Sequence, residues 1–468
     1  MINPLVVDLD HTLIRTDCLH EALVLFVFRY PTELWKFPLW IFKGRQVFKA
    51  RVFARVTLDI WHIPVNDAVV RLCEAAYVQN RPIILATATL HSVAEKFKQR
   101  FAWISMVIGS TEAVNLTGPR KLSAILEQVS SGEFDFISDH PRDIPVWQAA
   151  RQGWIVANRR PQWASHITCP IQLLPTQRGH RTWGSLIRSY QWVKNLLLFL
   201  PIIFEHRFAD WASFGLVFGG VVAFSAIASA MYVLNDLTDI HHDRQHLTKA
   251  ARALASGVIS IPFAVSVGIL LLGIGFFIGF VISPVFGLIL GGYCVANLLY
   301  SGWLKRVPIV DIFILSGFYL IRLISGTLIA NVVLSNWLFA VSFFLFLSLG
   351  TLKRYSELYR LKTQLGTIPK GRGYHVDDLP VLMGFGMIFG VSATLVLGIY
   401  LDQIKTQVLY ANSTALWGII VLVNFWLMRL WFNAHRGVSL EDPVKWVLKD
   451  RVTILIMGLC VALFWIAL

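Results

Sequence analysis

The sequence predicts a soluble α/β domain followed by an all-helical membrane bundle, and three observations predict it. Residues 1 to about 180 carry frequent charges and short apolar runs that end in acids, whereas from about 195 onward long apolar stretches alternate with short polar loops. Of the 468 residues 56% are apolar and only 15% charged, against about 25% charged in an ordinary soluble protein. The mean hydropathy of +0.60 excludes a purely soluble chain.

In the first 180 residues, 4–7 read as a short buried strand that ends in Asp8-Leu9-Asp10-His11-Thr12-Leu13. Two carboxylates at i and i+2 of a strand point the same way and can share Mg²⁺ with a backbone carbonyl. The same acids interrupt the apolar run too early for a signal peptide. A second strand over 82–86 ends at Thr87. Lys121 follows the Gly118-Pro119 turn and opens a helix. A third strand over 134–137 runs into Ser138-Asp139-His140-Pro141-Arg142-Asp143.

In the second part, crossing roughly 30 Å of hydrocarbon takes about 20 helical residues. Nine segments qualify or nearly do: 191–204, 212–235, 261–281, 284–303, 309–330, 336–351, 379–401, 414–431 and 452–467. With the N-terminal domain in the cytoplasm, the loops after the second, fourth, sixth and eighth segments lie on its side. They hold Arg244, Lys249 and Arg252; Lys305 and Arg306; Lys353, Arg354, Arg360, Lys362, Lys370 and Arg372; and Arg429, Arg436, Lys445, Lys449 and Arg451. The opposite loops hold only Arg207 and Lys405. Such asymmetry orients a multi-pass protein of the cytoplasmic membrane. It also accounts for the net charge of +14 without nucleic acid. Five scattered cysteines with no CxxC predict neither a disulfide framework nor zinc.

The most informative stretch is Asn235-Asp236-Leu237-Thr238-Asp239-Ile240-His241-His242-Asp243-Arg244, at the cytoplasmic end of the second segment. At about 100° per residue, Asn235, Asp239 and Asp243 fall within one arc of a helix. Three oxygen ligands in one arc suit Mg²⁺ held against a diphosphate. Asp236 falls off that arc, to serve a second metal or to solvate the helix end. Acids at membrane depth are functional candidates by default. Arg244, His246, Lys249 and Arg252 follow, a basic string suited to phosphate oxygens.

Strand ends carrying a nucleophile, a hydroxyl, a lysine and an acidic pair in that order resemble the haloacid dehalogenase (HAD) superfamily, over residues 1 to about 165. The resemblance implies a Rossmann-like fold with a helical cap over about 17–81 and phosphatase chemistry. Asp8 would be the nucleophile and Asp10 the general acid and base. Thr87 and Lys121 would hold phosphoryl oxygens, and Asp139 with Asp143 would complete a Mg²⁺ site on Asp8 and Asp10. His11 and Ser138 depart from the family's usual glycines. The cap's aromatic and basic run (Phe26, Phe28, Tyr30, Trp35, Phe37 and Trp40 with Lys36, Lys43, Arg45 and Lys49) fits packing inside the cap or lying on a membrane surface.

Residues 181–468 resemble the UbiA superfamily of nine-helix intramembrane prenyltransferases, on the NxxxDxxxD pattern of Asn235, Asp239 and Asp243. Within it, Gln191-Trp192-Val193-Lys194-Asn195, the string from Asn235 to Gly257, Tyr300-Ser301 with Lys305, Asp311, Arg322 and Lys353-Arg354 are most similar to the branch that makes polyprenyl-phosphate phosphoribose. That branch implies phosphoribosyl pyrophosphate (PRPP) and a polyprenyl phosphate as substrates and Mg²⁺ as cofactor. Asp239 and Asp243 would be catalytic, with Asn235 and Asp236 joining them around the metal. Lys194, Asn195, Arg244, His246, Lys249, Arg252, Tyr300, Lys305, Asp311, Arg322, Lys353 and Arg354 would contact substrate. Two departures stand out. Leu315 occupies the place where aromatic prenyltransferases need a second acid after Asp311, and Leu247, Ala250 and Ala253 replace the branch's proline, arginine and proline.

The combined expectation is a bifunctional enzyme: phosphoribosyl transfer to the lipid, then removal of the 5-phosphate. Two other readings compete. One is prenyl transfer to an aromatic or other acceptor, and the other is a non-catalytic transporter or scaffold. A homo-oligomer stays open.

Overall fold

The computed structural model describes residues 3–129, 132–176, 182–246, 249–365, 373–403, 410–438, 446 and 449–468. Leu247, Lys370, Arg372, Lys405 and Lys445 lie outside the described residues, as does the expected domain boundary at 180/181. The chain forms two compact units, Met1–Ile187 with Tyr232–Gly268, and Arg188–Met231 with Ile269–Leu468. The division departs from the expected one in a way that matters. The segment with the acidic string belongs to the N-terminal unit.

The first unit is built on a six-stranded parallel sheet: β1 (Leu5–Val7), β2 (Ile83–Leu90), β3 (Met106–Ser110), β4 (Asp135–Ser138), β5 (Gln152–Val156) and β6 (Ile171–Leu174), in the order 3-2-1-4-5-6. Alternation places Val6, Ile84, Phe136 and Ile155 in one buried layer and Leu5, Val7, Ile83, Leu85 and Ile137 in the other. A sheet covered on both faces needs such continuous apolar strands. The order reverses at β1, and ligands of open parallel sheets bind at the carboxyl ends beside such a switch point. Asp8, Thr87 and Asp139 all lie there. β2 runs four residues beyond its expected end, and its pairing with β3 shifts register between Thr87 and Leu90.

Between β1 and β2 come four helices, α1 (Cys18–Arg29), α2 (Lys36–Phe42), α3 (Arg45–Arg55) and α4 (Asp67–Val78). The Asp17 carboxylate caps α1 by accepting from the Leu19 and His20 N–H groups. Part of the aromatic run packs inside the cap, as one of the two expectations had it. Phe26 is fully buried, with ring centroids 5.5 Å from Tyr30, 5.1 Å from Phe37 and 5.8 Å from Trp40. Trp35, Leu39, Ile41 and Phe42 face outward and are exposed.

The second unit is all-helical. Among the described residues seven helices are long and apolar enough to cross a membrane: α6 (Trp211–Thr238), α8 (Ile261–Ile282), α9 (Pro284–Gly302), α10 (Val310–Ile329), α11 (Asn336–Leu365), α12 (Leu379–Leu401) and α13 (Ala415–His435), with α5 (Pro119–Gln128) and α7 (Ile240–Arg244) numbered in the first unit. α6 continues across the boundary between the units, and α8 starts in the first. A shorter apolar helix, α14 (Arg451–Ala467), ends the chain. Segment 191–204 is not one long helix: it forms tight three-residue turns over Ser189–Phe199, then a short helix Leu200–Phe204 with Pro201 near its start. Two polar residues, Gln191 and Asn195, are buried along it beside Leu198 and Ile202.

That irregular segment lies directly against α10. A β-carbon on Gly326 would meet the Leu198 carbonyl oxygen at 2.2 Å, so glycine is what permits the approach. Arg322 sits one turn earlier on the same helix. Gly326→Ala is expected to cost about 1–3 kcal/mol by overpacking, read as a lower unfolding midpoint in detergent. An unchanged midpoint contradicts the close approach.

Candidate active sites

At the carboxyl edge of the sheet, the chain leaves β1 through Asp8 and turns sharply at His11, whose φ is +55°. Left-handed backbone is what glycine adopts most cheaply, and here a histidine adopts it. Lys121, on α5, donates from Nζ to Asp8 Oδ1 (2.9 Å) and Asp143 Oδ2 (2.8 Å). Ser138 Oγ donates to the same Asp143 oxygen (2.7 Å). The serine thus does what glycine cannot: it fixes Asp143.

Both Asp10 oxygens are held, Oδ1 by the Cys18 N–H (2.8 Å) and Oδ2 by Thr89 Oγ1 (2.7 Å). Thr87, fully buried, accepts from the Thr89 N–H at 3.0 Å. Asp139 accepts from Thr12 Oγ1 at 3.3 Å. From the cap, Lys49 Nζ reaches the Ala88 carbonyl at 3.1 Å.

Charge is out of balance here. Burial pushes the Asp8 carboxyl up to about 8; Lys121 pulls the other way, while Asp143 and Asp10 add to the rise. Burial also raises Asp10 and Asp139. For Lys121 burial works against the charge, yet Asp8 and Asp143 more than offset it and hold the ammonium protonated. Lys121 bonds two of the four acids, Asp8 and Asp143, while Asp10 and Asp139 accept from neutral donors, which leaves carboxylates in excess. A divalent cation fits that donor set.

The acidic string lies where α6 gives way to α7, with Asp239 at the junction. Hydrogen bonding stays helical through it, from the Asp239 N–H to Asn235 O (3.0 Å) and from the Asp243 N–H to Asp239 O (2.8 Å). Arg252 Nη1 donates to both Asp236 Oδ1 (3.2 Å) and Asp243 Oδ2 (2.5 Å). The sequence reading set Asp236 apart, but a spacing of seven is nearly two helical turns, so Asp236 and Asp243 share a side. Two carboxylates that converge on one cationic nitrogen also fit a divalent ion.

Arg244 is placed elsewhere than expected. Its guanidinium forms a fork on Glu21 of α1, Nη1 to Oε2 (2.9 Å) and Nη2 to Oε1 (2.7 Å), with Nε on the Ala255 carbonyl (2.9 Å). Its donors are therefore directed at protein rather than at phosphate. His246 is half-buried and Lys249 exposed.

In the second unit, Arg322 is buried, donates from Nε to Asn195 Oδ1 (2.7 Å) and bonds the Phe318 carbonyl. It lies 4.6 Å from the Phe224 ring centroid. Asn195 in turn donates to Ser225 Oγ (2.7 Å). Lys194 Nζ stands 5.6 Å from the Tyr319 ring centroid. Arg354 pairs with Asp311 and donates to Glu357 Oε2 (2.7 Å) and Tyr300 OH (2.6 Å). Tyr374 OH donates to Asp311 at 2.5 Å. Lys305 and Lys353 are half-buried.

The profile of the UbiA prenyltransferase family matches residues 199–466, more than half of the chain. The chain belongs to the UbiA prenyltransferase family. An uncharacterized protein, y4nM of Sinorhizobium fredii, is 30% identical across 99% of this chain and 91% of its own length. Decaprenyl-phosphate phosphoribosyltransferase of Mycobacterium tuberculosis is 30% identical over 60% of this chain and 90% of its own. A UbiA homolog from Archaeoglobus fulgidus, solved with DMAPP and Mg²⁺, is 16% identical and covers 61% of this chain and 99% of that one, at a TM-score of 0.43. Family membership and the long apolar helices make this a multi-pass membrane protein with a UbiA-type helical domain.

The sequence reading missed Glu21, Thr89, Tyr374 and Ser225 as partners of these sites. It also missed His11, Asp17 and His20, whose ligand atoms lie within 4.8 Å of one another. His11 lies inside the Asp8–Leu13 motif but was not read as a ligand, and most of the others meet their partners only through the fold. The UbiA domain's Arg354–Asp311 pair sets an energetic expectation. Arg354→Met removes the cation facing a fully buried carboxylate and should cost about 3–5 kcal/mol. Tyr374→Phe removes one hydrogen bond and should cost about 1–3 kcal/mol. Thermal unfolding in detergent ranks the two, and equal losses contradict the assignment of the pair.

Proposed function

We propose that the protein transfers 5-phosphoribose from PRPP to a polyprenyl phosphate, releasing pyrophosphate, and that its N-terminal domain is a HAD-type phosphatase that removes the 5-phosphate to leave polyprenyl-phosphate ribose. The observation that carries the transfer reading is the engagement of Asp311. Its carboxylate is buried between Arg354 and Tyr374, and Leu315 stands where a second acid would be needed. That favours one acidic cluster, and so a donor with one diphosphate to hold there. The 30% identity to a decaprenyl-phosphate phosphoribosyltransferase supports the donor and acceptor.

In the transfer, an oxygen of the lipid phosphate attacks the anomeric carbon of PRPP. The bond from that carbon to pyrophosphate breaks, and pyrophosphate takes the electron pair. The lipid phosphate is already ionised, so no strong base is required. Asp236, Asp239 and Asp243, with Asn235, would hold Mg²⁺, which draws charge from the leaving pyrophosphate. Lys249 and Arg252 offer cations beside those acids. Lys194, Arg322, Lys305, Lys353 and Arg354 are the cations of the second unit, and Arg322 through Asn195 suits a fixed phosphate contact.

In the hydrolysis, Asp8 attacks the 5-phosphate, the phosphorus–oxygen bond to ribose breaks, and Asp10 delivers a proton to the departing oxygen. Water, losing a proton to Asp10, then cleaves the aspartyl-phosphate and releases inorganic phosphate. Lys121 and Thr87 hold phosphoryl oxygens, and Mg²⁺ on Asp8, Asp139 and the Asp10 carbonyl would offset the charge of nucleophile and phosphate. The basic loops orient both activities toward the cytoplasmic side of the cytoplasmic membrane.

The test is incubation of purified protein in detergent with Mg²⁺, labelled PRPP and a polyprenyl phosphate, followed by mass spectrometry of the lipids. Wild type should yield lipid-linked ribose, Asp8→Asn lipid-linked ribose 5-phosphate, and Asp239→Ala less than about one hundredth of the wild-type label. EDTA should stop both steps and Mg²⁺ restore them. Consumption of a prenyl diphosphate in place of PRPP would select prenyl transfer instead.

A further inference from the structure

We infer that the N-terminal domain has a second, non-hydrolytic role: through Glu21 it holds the acidic segment of the transferase in its working position. Glu21 and Arg244 stand 223 residues apart in sequence. Their side chains are 0% and 3% exposed, and the pair is a two-point fork. Such a fork fixes direction as well as distance. Arg244 directly follows Asp243, the acid that meets Asp236 on Arg252. Glu21 therefore sets the place of the residue next to a candidate metal ligand.

The grip is built from both ends. On the α1 side, Thr16 Oγ1 donates to Glu21 Oε1 at 2.7 Å, and Glu21 lies on the first turn of a helix capped by Asp17. On the other side, Arg244 Nε closes on the Ala255 carbonyl, tying the two ends of the 244–255 loop together. Gln245 donates to Asp59 at 3.0 Å. Gly257, at φ +70°, comes so near Arg15 that a β-carbon there would meet the arginine's own at 2.8 Å. The surface between these points is not close-packed. A cavity of about 220 Å³ separates Val24, Phe28 and Asp59 from Thr238, His241 and His242. Beside the cavity Val24 joins Leu237, Ile240 and Leu254 in a buried apolar cluster, and the fork adds direction to that non-directional contact.

A link to the hydrolytic centre follows the same helix. Asp10 accepts from the Cys18 N–H at the start of α1, one turn before Glu21. One short helix is fastened at one end to the candidate acid of the phosphatase and along its side to the candidate metal segment of the transferase. Glu21 is a positioning residue in this scheme and touches no substrate.

The inference rests on the transferase reading only for its activity readout. The experiment uses the full chain in detergent and compares wild type with Glu21→Gln and Arg244→Lys, the second keeping the buried charge but losing the fork. Amide exchange is followed over 240–257 and in β4. The Mg²⁺ concentration for half-maximal labelling of lipid from PRPP is measured alongside. Both variants should exchange about tenfold faster over 240–257 with β4 unchanged. Both should need several times more Mg²⁺, a shift that a merely smaller folded fraction does not produce. Wild-type exchange and wild-type Mg²⁺ dependence in both variants overturn the assignment, as does faster exchange spread equally over β4. If wild type itself labels no lipid, the donor reading fails, and the exchange data alone then decide the role of Glu21.

Discussion

A charge taken out of water must be met by an opposite charge or by converging dipoles within hydrogen-bond reach, because an unmatched one costs several kcal/mol. The candidate sites of this protein are arranged by that constraint. Lys121 sits between Asp8 and Asp143, Arg252 between Asp236 and Asp243, and Arg354 between Asp311 and Glu357, while Arg244 forks on Glu21. Lys121–Asp8, Arg354–Asp311 and Arg244–Glu21 draw together elements remote in sequence. Apolar packing holds the sheet and the helices, but the positions of the reactive groups are set by these ion pairs.

The pairs divide by what else they can do. Where one cation bonds two acids, as Lys121 does Asp8 and Asp143 and Arg252 does Asp236 and Asp243, the cluster is where the proposed function puts a divalent ion and a phosphate. Where the cation is buried and all three of its nitrogens bond protein, as those of Arg244 do with Glu21 and Ala255, its value is positional. This distinction separates chemistry from support more sharply than residue type does. An arginine beside an acidic motif reads as a phosphate ligand until its partners are known.

Much of the fold was legible because it depends on local pattern. Short apolar runs ending in Asp8, Thr87 and Asp139 gave three central strands, since strands buried on both faces need uninterrupted apolar residues. Strands β3, β5 and β6 lie toward the edges, where Met106 is exposed and Ile171 half-buried, and their weaker patterns went unread. Most spanning helices were equally plain. Segment 191–204 was not, because length and hydropathy say nothing of the tight turns that bring Asn195 to Arg322. Least legible was Glu21. Its partner is 223 residues away, and nothing in a helix of the cap marks one glutamate as different from its neighbours.

The full-length match to y4nM adds a constraint on how the two halves are related. That relative spans both, whereas the mycobacterial phosphoribosyltransferase aligns with about 60% of this chain while itself being nearly covered. A UbiA-type domain therefore exists without a partner of this kind. Under the proposed function, the phosphate that transfer would leave on the lipid-linked sugar is the N-terminal domain's substrate, and a covalent link raises the concentration at which the two meet. A flexible tether would suffice for that alone. The buried fork between α1 and the acidic segment does more than a tether requires, because it fixes the direction as well as the distance of the segment that follows α6.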